Sequence, residues 1–338
     1  MDVLARPLLL VGRPGQAFLR HWPLAVTGDV EAIHQARVAT RRLREALPLI
    51  QRGARDPELR RVRRALRDLT RALGPSRELD VSRLVVAGIG ERLPGHRAAA
   101  AAVDGRLAVE RAKAAEALRA VSERLDVAPL IARTRDLARR VETRPAGMAG
   151  CAHRASARLT ARARALQKAV VGAGRVYAAG PLHAVRIALK KFRYSFELAA
   201  QLRRAHHGGS LRRLKALQDV LGDMHDLQVL AAHVRDAEMA VPAKQRPAVA
   251  ALVGYLDEQI RDLHSRYVTQ RELLVAVLSR ARRLGESLAA VTPPTAARRG
   301  RARALKAPSV GTARRAADEA APQTARRRPG RPSRRGSR

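Results

Sequence analysis

The chain has 338 residues, and its 67 Lys and Arg against 30 Asp and Glu give a formal net charge of +37. An excess of that size goes far beyond what solubility needs and implies a polyanionic partner: nucleic acid, another phosphate polymer or an anionic membrane. Aromatics at 2 % leave few stacking platforms for single-stranded nucleic acid, and the single cysteine, Cys151, excludes an internal disulfide.

Residues 1–290 read as helices separated by Pro, Gly and Asp, with no sustained period-two alternation. The predicted helices are 2–22, 29–52, 57–74, 77–93, 96–125, 129–142, 148–173, 181–206, 209–222, 225–240 and 245–288. Asp29 is the expected N-cap of the second, with Glu31 in its first turn, and Gly53 is its expected stop. The apolar words "LLLV" at 8–11 and "RLVVAGIG" at 83–90 are too short for a signal peptide or a membrane span. A soluble cytoplasmic protein with no membrane partner is therefore expected. From 291 to 338 large apolar residues are few and Arg, Pro, Gly and Ser abundant, so a disordered basic tail is expected. Residues 292–338 carry fourteen Lys/Arg and two acids, a net of +12, which leaves +25 of the total +37 on the rest of the chain.

The helical part repeats. "IHQARVATRRLREAL" (33–47) aligns without gaps to "LHAVRIALKKFRYSF" (182–196) at an offset of 149. "LRDLTRALGPSRELDV" (66–81) aligns to "LKALQDVLGDMHDLQV" (214–229) at 148. The helices shift likewise, 2–22 onto 148–173 and 96–125 onto 245–288. Two all-α halves, about 1–142 and 148–290, related by a pseudo-two-fold axis, are the prediction.

Within the first repeat, Ile33, Ala36, Thr40, Leu43 and Leu47 share a narrow arc and form a packing seam. Leu182, Val185, Leu189, Phe192 and Phe196 are its counterpart. One position on from each seam lies a row of cations: His34, Arg37, Arg41 and Arg44, matched by His183, Arg186, Lys190 and Arg193. From His34 to Arg44 the row is about 15 Å long, enough to track successive phosphates. The next helix adds Arg60, Arg64, Arg67 and Arg71; in the second half Arg212 and Lys215 match two of these and Asp219 replaces Arg71. Solvated helix faces usually interleave Glu with their cations, and these rows hold no acid, so like charges repel along them. An anion-binding groove accounts for that arrangement. His34 and His183 read either as phosphate ligands or as hydrogen-bonded structural residues.

"EAIHQARVATRRLREAL" and "PLHAVRIALKKFRYSFEL", followed by "LGPSRELDV" and "LGDMHDLQV", resemble the CHAD family (conserved histidine α-helical domain) over roughly residues 10–288. The resemblance implies two four-helix bundles with pseudo-two-fold symmetry and a basic channel between them that binds inorganic polyphosphate. It implicates His34, Arg37, Arg41, Arg42 and Arg44 with His183, Arg186, Lys190, Lys191 and Arg193. Arg63, Arg64, Arg67, Arg212, Arg213 and Lys215 on the following helices would help to line the channel. Two words depart from the family pattern: Glu78 replaces an Asp, and His225 replaces an Arg. Arg77/Glu78 and His225/Asp226 are expected to be structural pairs at helix starts.

Catalysis on phosphoanhydrides normally needs a metal held by clustered carboxylates, and no such pair lies within the basic rows. No P-loop, GxSxG or Cys/His zinc pattern is present. The expectation is a binding protein with no catalytic residues, metal or cofactor, associated with polyphosphate granules. The alternative is a nucleoid-associated protein that binds DNA through its tail, where "RRRPGRPSRRGSR" resembles an AT-hook.

Overall fold

The structure is a computed structural model that describes residues 4–51, 56–144, 146–238 and 241–292; Gly53 and residues 293–338 of the basic tail lie outside them. The described residues are all-α, as expected. The helices are α1 (Pro7–Thr27), α2 (Val30–Ala46), α3 (Pro57–Arg92), α4 (Arg97–Arg124), α5 (Val127–Glu142), α6 (Gly147–Ala173), α7 (Ala179–Arg203), α8 (Gly208–Glu238), α9 (Arg246–Gln270) and α10 (Leu274–Ala289). Asp29 caps α2, its carboxylate accepting from the Ala32 N–H at 2.7 Å. Asp56 does the same for Leu59 at 3.1 Å, and Pro57 occupies the first turn of α3, where its missing N–H is no loss.

Three expected boundaries move. Helices predicted at 57–74 and 77–93 are the single helix α3, which runs through Pro75. Pro75 leaves the Arg71 carbonyl without its usual donor, but Leu73, Ser76 and Leu79 are buried on either side, so packing offsets a local penalty of about 3 kcal/mol. Helices predicted at 209–222 and 225–240 are likewise one, α8, through Gly222 and Asp223. Conversely, the predicted 245–288 divides into α9 and α10 at a 3₁₀ turn, Arg271–Leu273. That turn holds neither Gly nor Pro, so nothing local announces it; Tyr267 and Leu274, buried on either side, hold it in place.

The repeat unit is therefore five helices, α1–α5 and α6–α10. α1 packs on α2 and α5 as α6 packs on α7 and α10, and α3 pairs with α4 as α8 does with α9. The counterpart of 96–125 is α9 alone, and α5 corresponds to α10. Between the halves α2 meets α7, α3 meets α8 and α4 meets α9. These three helices each touch their own counterpart, as elements next to a two-fold axis do.

Two cores result. The larger runs continuously through both halves and contains every residue of the two predicted seams except Thr40, which is itself fully buried and donates its hydroxyl to the Arg37 carbonyl at 3.0 Å. The smaller is a four-helix arrangement of one hairpin from each half: the ends of α3 and α8, around Val86 and Leu230, against the starts of α4 and α9, around Val103 and Leu252. Where the α3–α4 hairpin meets the α1–α2 turn, the buried Arg111 donates to Asp80 at 2.5 Å and to the Gly28 carbonyl at 2.9 Å. Among the described residues no helix is long and apolar enough to cross a membrane.

Candidate anion-binding site

α2 and α7 meet at the pseudo-two-fold, and the seam residues that pack them into the core turn the adjacent cation rows toward one shared cavity of about 470 Å³. His34, Arg37 and Arg41 line it from α2, and Arg186, Lys190 and Arg193 from α7. Lys215 adds a cation from α8. Gly74 makes room for this arrangement: a Cβ there would stand 3.1 Å from a guanidinium nitrogen of Arg37, which donates to the neighbouring Thr70 carbonyl at 3.4 Å. Its repeat counterpart, Gly222, lies in the cavity wall.

The same cavity takes Arg77 and Glu78 from the middle of α3 and His225 and Asp226 from the middle of α8. They do not stand at helix starts, because both helices run through, and the pairs face the cavity instead. Arg186 lies 4.0 Å from Asp226. Asp219 and Asp223 complete an acidic edge along α8, Lys215 pairing with Asp219 at 2.6 Å. Acids absent from each basic row thus arrive from other helices, a juxtaposition that spacing within one helix does not reveal.

Crowding perturbs the titrating groups. Burial, then the neighbouring Arg186, Arg41 and Arg37, pushes the Lys190 ammonium down to about 7. Burial and Arg41 lower Arg37 to about 10. Burial, Arg186 and His183 lower His225 to about 4. Burial and Arg77 also lower His34. On the acidic edge burial raises Asp226 and Asp223. The Nε of Arg186 is buried and has no hydrogen-bond partner among the described residues. These are the signs of a site whose cations lack sufficient counter-charge.

The remaining predicted residues divide. Arg44, Arg63, Arg64, Arg67 and Lys191 line a second, outer basic cavity of about 570 Å³, together with Arg60 and with Arg158 and Arg162 from α6. The two α6 arginines escape the sequence reading because α6 carries no repeat motif; their signal is a carboxylate, Glu45, that binds Arg158 at 2.5 Å and lies 3.9 Å from Arg162. Arg42 points elsewhere, paired with Glu197 at 2.9 Å. His183 is exposed, its ring 5.0 Å from that of His225, and lines neither basic cavity. Arg212 is exposed and lines neither basic cavity, and Arg213 lines a small apolar cleft beside α9 and α10. Among the described residues no group of three or more His, Cys, Asp or Glu is placed to hold a metal ion.

Fold and site together define a helical duplication that gathers cations from both halves around its centre. The chain belongs to the CHAD family: the CHAD domain model matches residues 15–235. Among solved structures it is similar to the crystal structure of the CHAD domain from the plant Ricinus communis, with a TM-score of 0.51 and 26 % identity over 87 % of this chain and 96 % of that one. It shares its fold with PptA from Streptomyces chartreusis, with a TM-score of 0.59 and 17 % identity over 79 % of this chain and 98 % of that one. No curated protein sequence matches it.

Proposed function

We propose that the protein binds inorganic polyphosphate in the central cavity, as a binding module without catalytic chemistry of its own, and is held on polyphosphate granules by that interaction. The observation that carries the reading is the crowding of Arg37, Arg41, Arg77, Arg186, Lys190 and Arg193 around one cavity at the junction of the halves. Guanidinium forks match phosphate oxygens bidentately, and a linear phosphate polymer offers charge along its length with no base to be read. Apart from histidines, the one aromatic ring in the lining is that of Tyr194, which is 6 % exposed and covered by the Arg193 guanidinium at 4.7 Å. It offers no free face for a nucleobase, which favours polyphosphate over single-stranded nucleic acid.

The test is an Arg41→Glu/Lys190→Glu double variant assayed against labelled long-chain polyphosphate, with excess duplex DNA as competitor. Affinity is expected to fall at least a hundredfold, about 2.7 kcal/mol, while circular dichroism stays helical. The wild-type signal is expected to survive the DNA. Unchanged affinity in a folded variant, or full displacement by DNA, would refute the reading.

A further inference from the structure

Two cavities related by the repeat flank the central one, and they are not alike. One is the outer basic cavity. The other is found by moving each of its residues through the repeat. At the offset of 149, Arg158, Arg162 and Lys191 become Leu9, Arg13 and Arg42, and Glu45 and Pro48 become Tyr194 and Glu197; at 148, Arg63 becomes Leu211. These six counterparts line a single cavity of about 500 Å³ between α1, α2, α7 and α8, whereas the counterparts of Arg44 and Arg67, Arg193 and Lys215, line the central cavity, and those of Arg60 and Arg64, Gly208 and Arg212, line neither. At these six positions it is the pseudo-symmetric partner of the outer basic cavity, and its wall is mostly apolar.

The basic member holds eight cations and one carboxylate, Glu45. The mirror member holds two cations, Arg13 and Arg42, and one carboxylate, Glu197, which takes Arg42 at 2.9 Å. Leu, Ala, Val and Tyr side chains make most of its remaining wall. The junctions with the centre differ as well. Towards the basic member the wall is cationic: Arg41 and Arg44 are one helical turn apart on α2, and Lys190 and Lys191 are adjacent, each pair with one residue in each cavity. Towards the mirror member the residues common to both cavities include Val38 and the buried Tyr194. A phosphate chain leaving that way would give up water against mostly apolar walls, with the exposed Arg13 as the one cation of that lining not paired with Glu197. On the basic side Glu45 pre-positions Arg158 through two hydrogen bonds of 2.5 and 3.1 Å, so little side-chain ordering is left to occur on binding. The Nε of the neighbouring Arg162 is buried without a partner among the described residues.

We propose that a bound polyphosphate chain leaves the central cavity on one side only, through the outer basic cavity of α2, α3, α6 and α7, and that this cavity is a second binding segment used by long chains and not by short ones. The proposal rests on the polyphosphate reading of the central cavity. It assigns a role to Arg60, Arg158 and Arg162, and it makes the protein one-sided towards its ligand although its backbone is duplicated.

The experiment compares two charge-reversal pairs that alter net charge equally in the full chain. Arg60→Glu/Arg63→Glu changes the basic exit. Arg13→Glu/Arg204→Glu changes the mirror exit, Arg204 being the neighbour of its lining residue Ala205. All four side chains are exposed. Binding of long-chain polyphosphate and of tripolyphosphate is measured for each at about physiological salt (~0.15 M). For the long chain, Arg60→Glu/Arg63→Glu is expected to lose at least tenfold more affinity than the mirror pair. For tripolyphosphate the two pairs should agree within about twofold, because a short anion stays in the centre and senses only overall charge. Arg60→Gln/Arg63→Gln repeats the comparison with half the charge change, and should lose at least threefold for the long chain only. Equal long-chain losses in the two pairs, or a larger loss in the mirror pair, would overturn the one-sided path while leaving polyphosphate binding intact. A wild-type protein that binds neither phosphate would remove the central reading and the path with it.

Discussion

The central and outer basic cavities are lined by similar residues held in different surroundings. In the centre, burial and mutual repulsion bring Lys190 to about 7 and Arg37 to about 10. In the outer cavity Arg60, Arg63, Arg64 and Arg67 are exposed, and Glu45 compensates the two arginines of α6. Central cations are therefore a strain on the fold that a bound anion would relieve. The four exposed arginines of the outer cavity cost the fold little and attract through water, where salt screens them. Affinity at the centre should depend on pH and trade against stability, whereas the outer contribution should depend mainly on ionic strength.

The largest effect expected from this contrast is on pH dependence. In the free protein Lys190 loses its proton near pH 7, and bound phosphates favour the charged form, so binding takes up a proton above that pH. Polyphosphate affinity should be greatest below about pH 7 and fall as pH rises, by up to about tenfold per unit while the bound lysine stays protonated. Titration of affinity between pH 6 and 9 for the wild type and Lys190→Met checks this; a wild-type profile as flat as that of the variant would break the contrast.

Next in size is a stability gain. The folded-state pKa of Lys190 lies below that of an unfolded lysine, near 10.4. Between about 7 and that value the unfolded chain binds the proton that the folded chain lacks, so stability rises with pH across the window. Below about pH 7 the full penalty of the buried charge is present. Lys190→Met should therefore be more stable than wild type at pH 6.5, by about 1–3 kcal/mol, and the difference should shrink towards pH 10. Denaturant unfolding at both pH values measures it.

The smallest effect separates the two histidines that the repeat makes equivalent. His34 lines the central cavity among Arg77, Arg41 and Arg37, which with burial hold its pKa below the usual range, whereas His183 is exposed outside the lining. His34→Gln should weaken polyphosphate binding about threefold at pH 5.5, where bound phosphate charges the imidazole, and less than twofold at pH 8. His183→Gln should change neither value. Equal effects of the two substitutions, measured by the same titration, would mean that the ligand reaches beyond the cavity as described.

Much of this was legible in the sequence. Ile33, Ala36, Leu43 and their counterparts Leu182, Val185 and Phe192 were placed in the core by spacing alone, and all are buried. His34, Arg37, Arg41, Arg186, Lys190 and Arg193 were placed on the adjoining row and share one cavity. The Arg77/Glu78 and His225/Asp226 pairs were misread because Pro75 and the Gly222–Asp223 step look like breaks locally. Helices clamped on both flanks by buried side chains run through them. Arg158 and Arg162 gave no signal, since what makes them part of a site is Glu45, more than a hundred residues away.

By itself the sequence determined the helical class, the duplication, the buried face of each signature helix and the excess of positive charge. These follow from 3.6-residue periodicity and composition, which are properties of each segment taken alone. Tertiary structure alone decided where α3 and α8 continue, which cations meet in one cavity, and that Arg42 spends its charge on Glu197 while its counterpart Lys191 faces the outer basic cavity. It also decided that one outer cavity is basic and its mirror mostly apolar. The reason is physical: periodicity tells which side of its own helix a residue occupies, but the charge that it finally feels is set by whatever the neighbouring helices bring within a few ångströms.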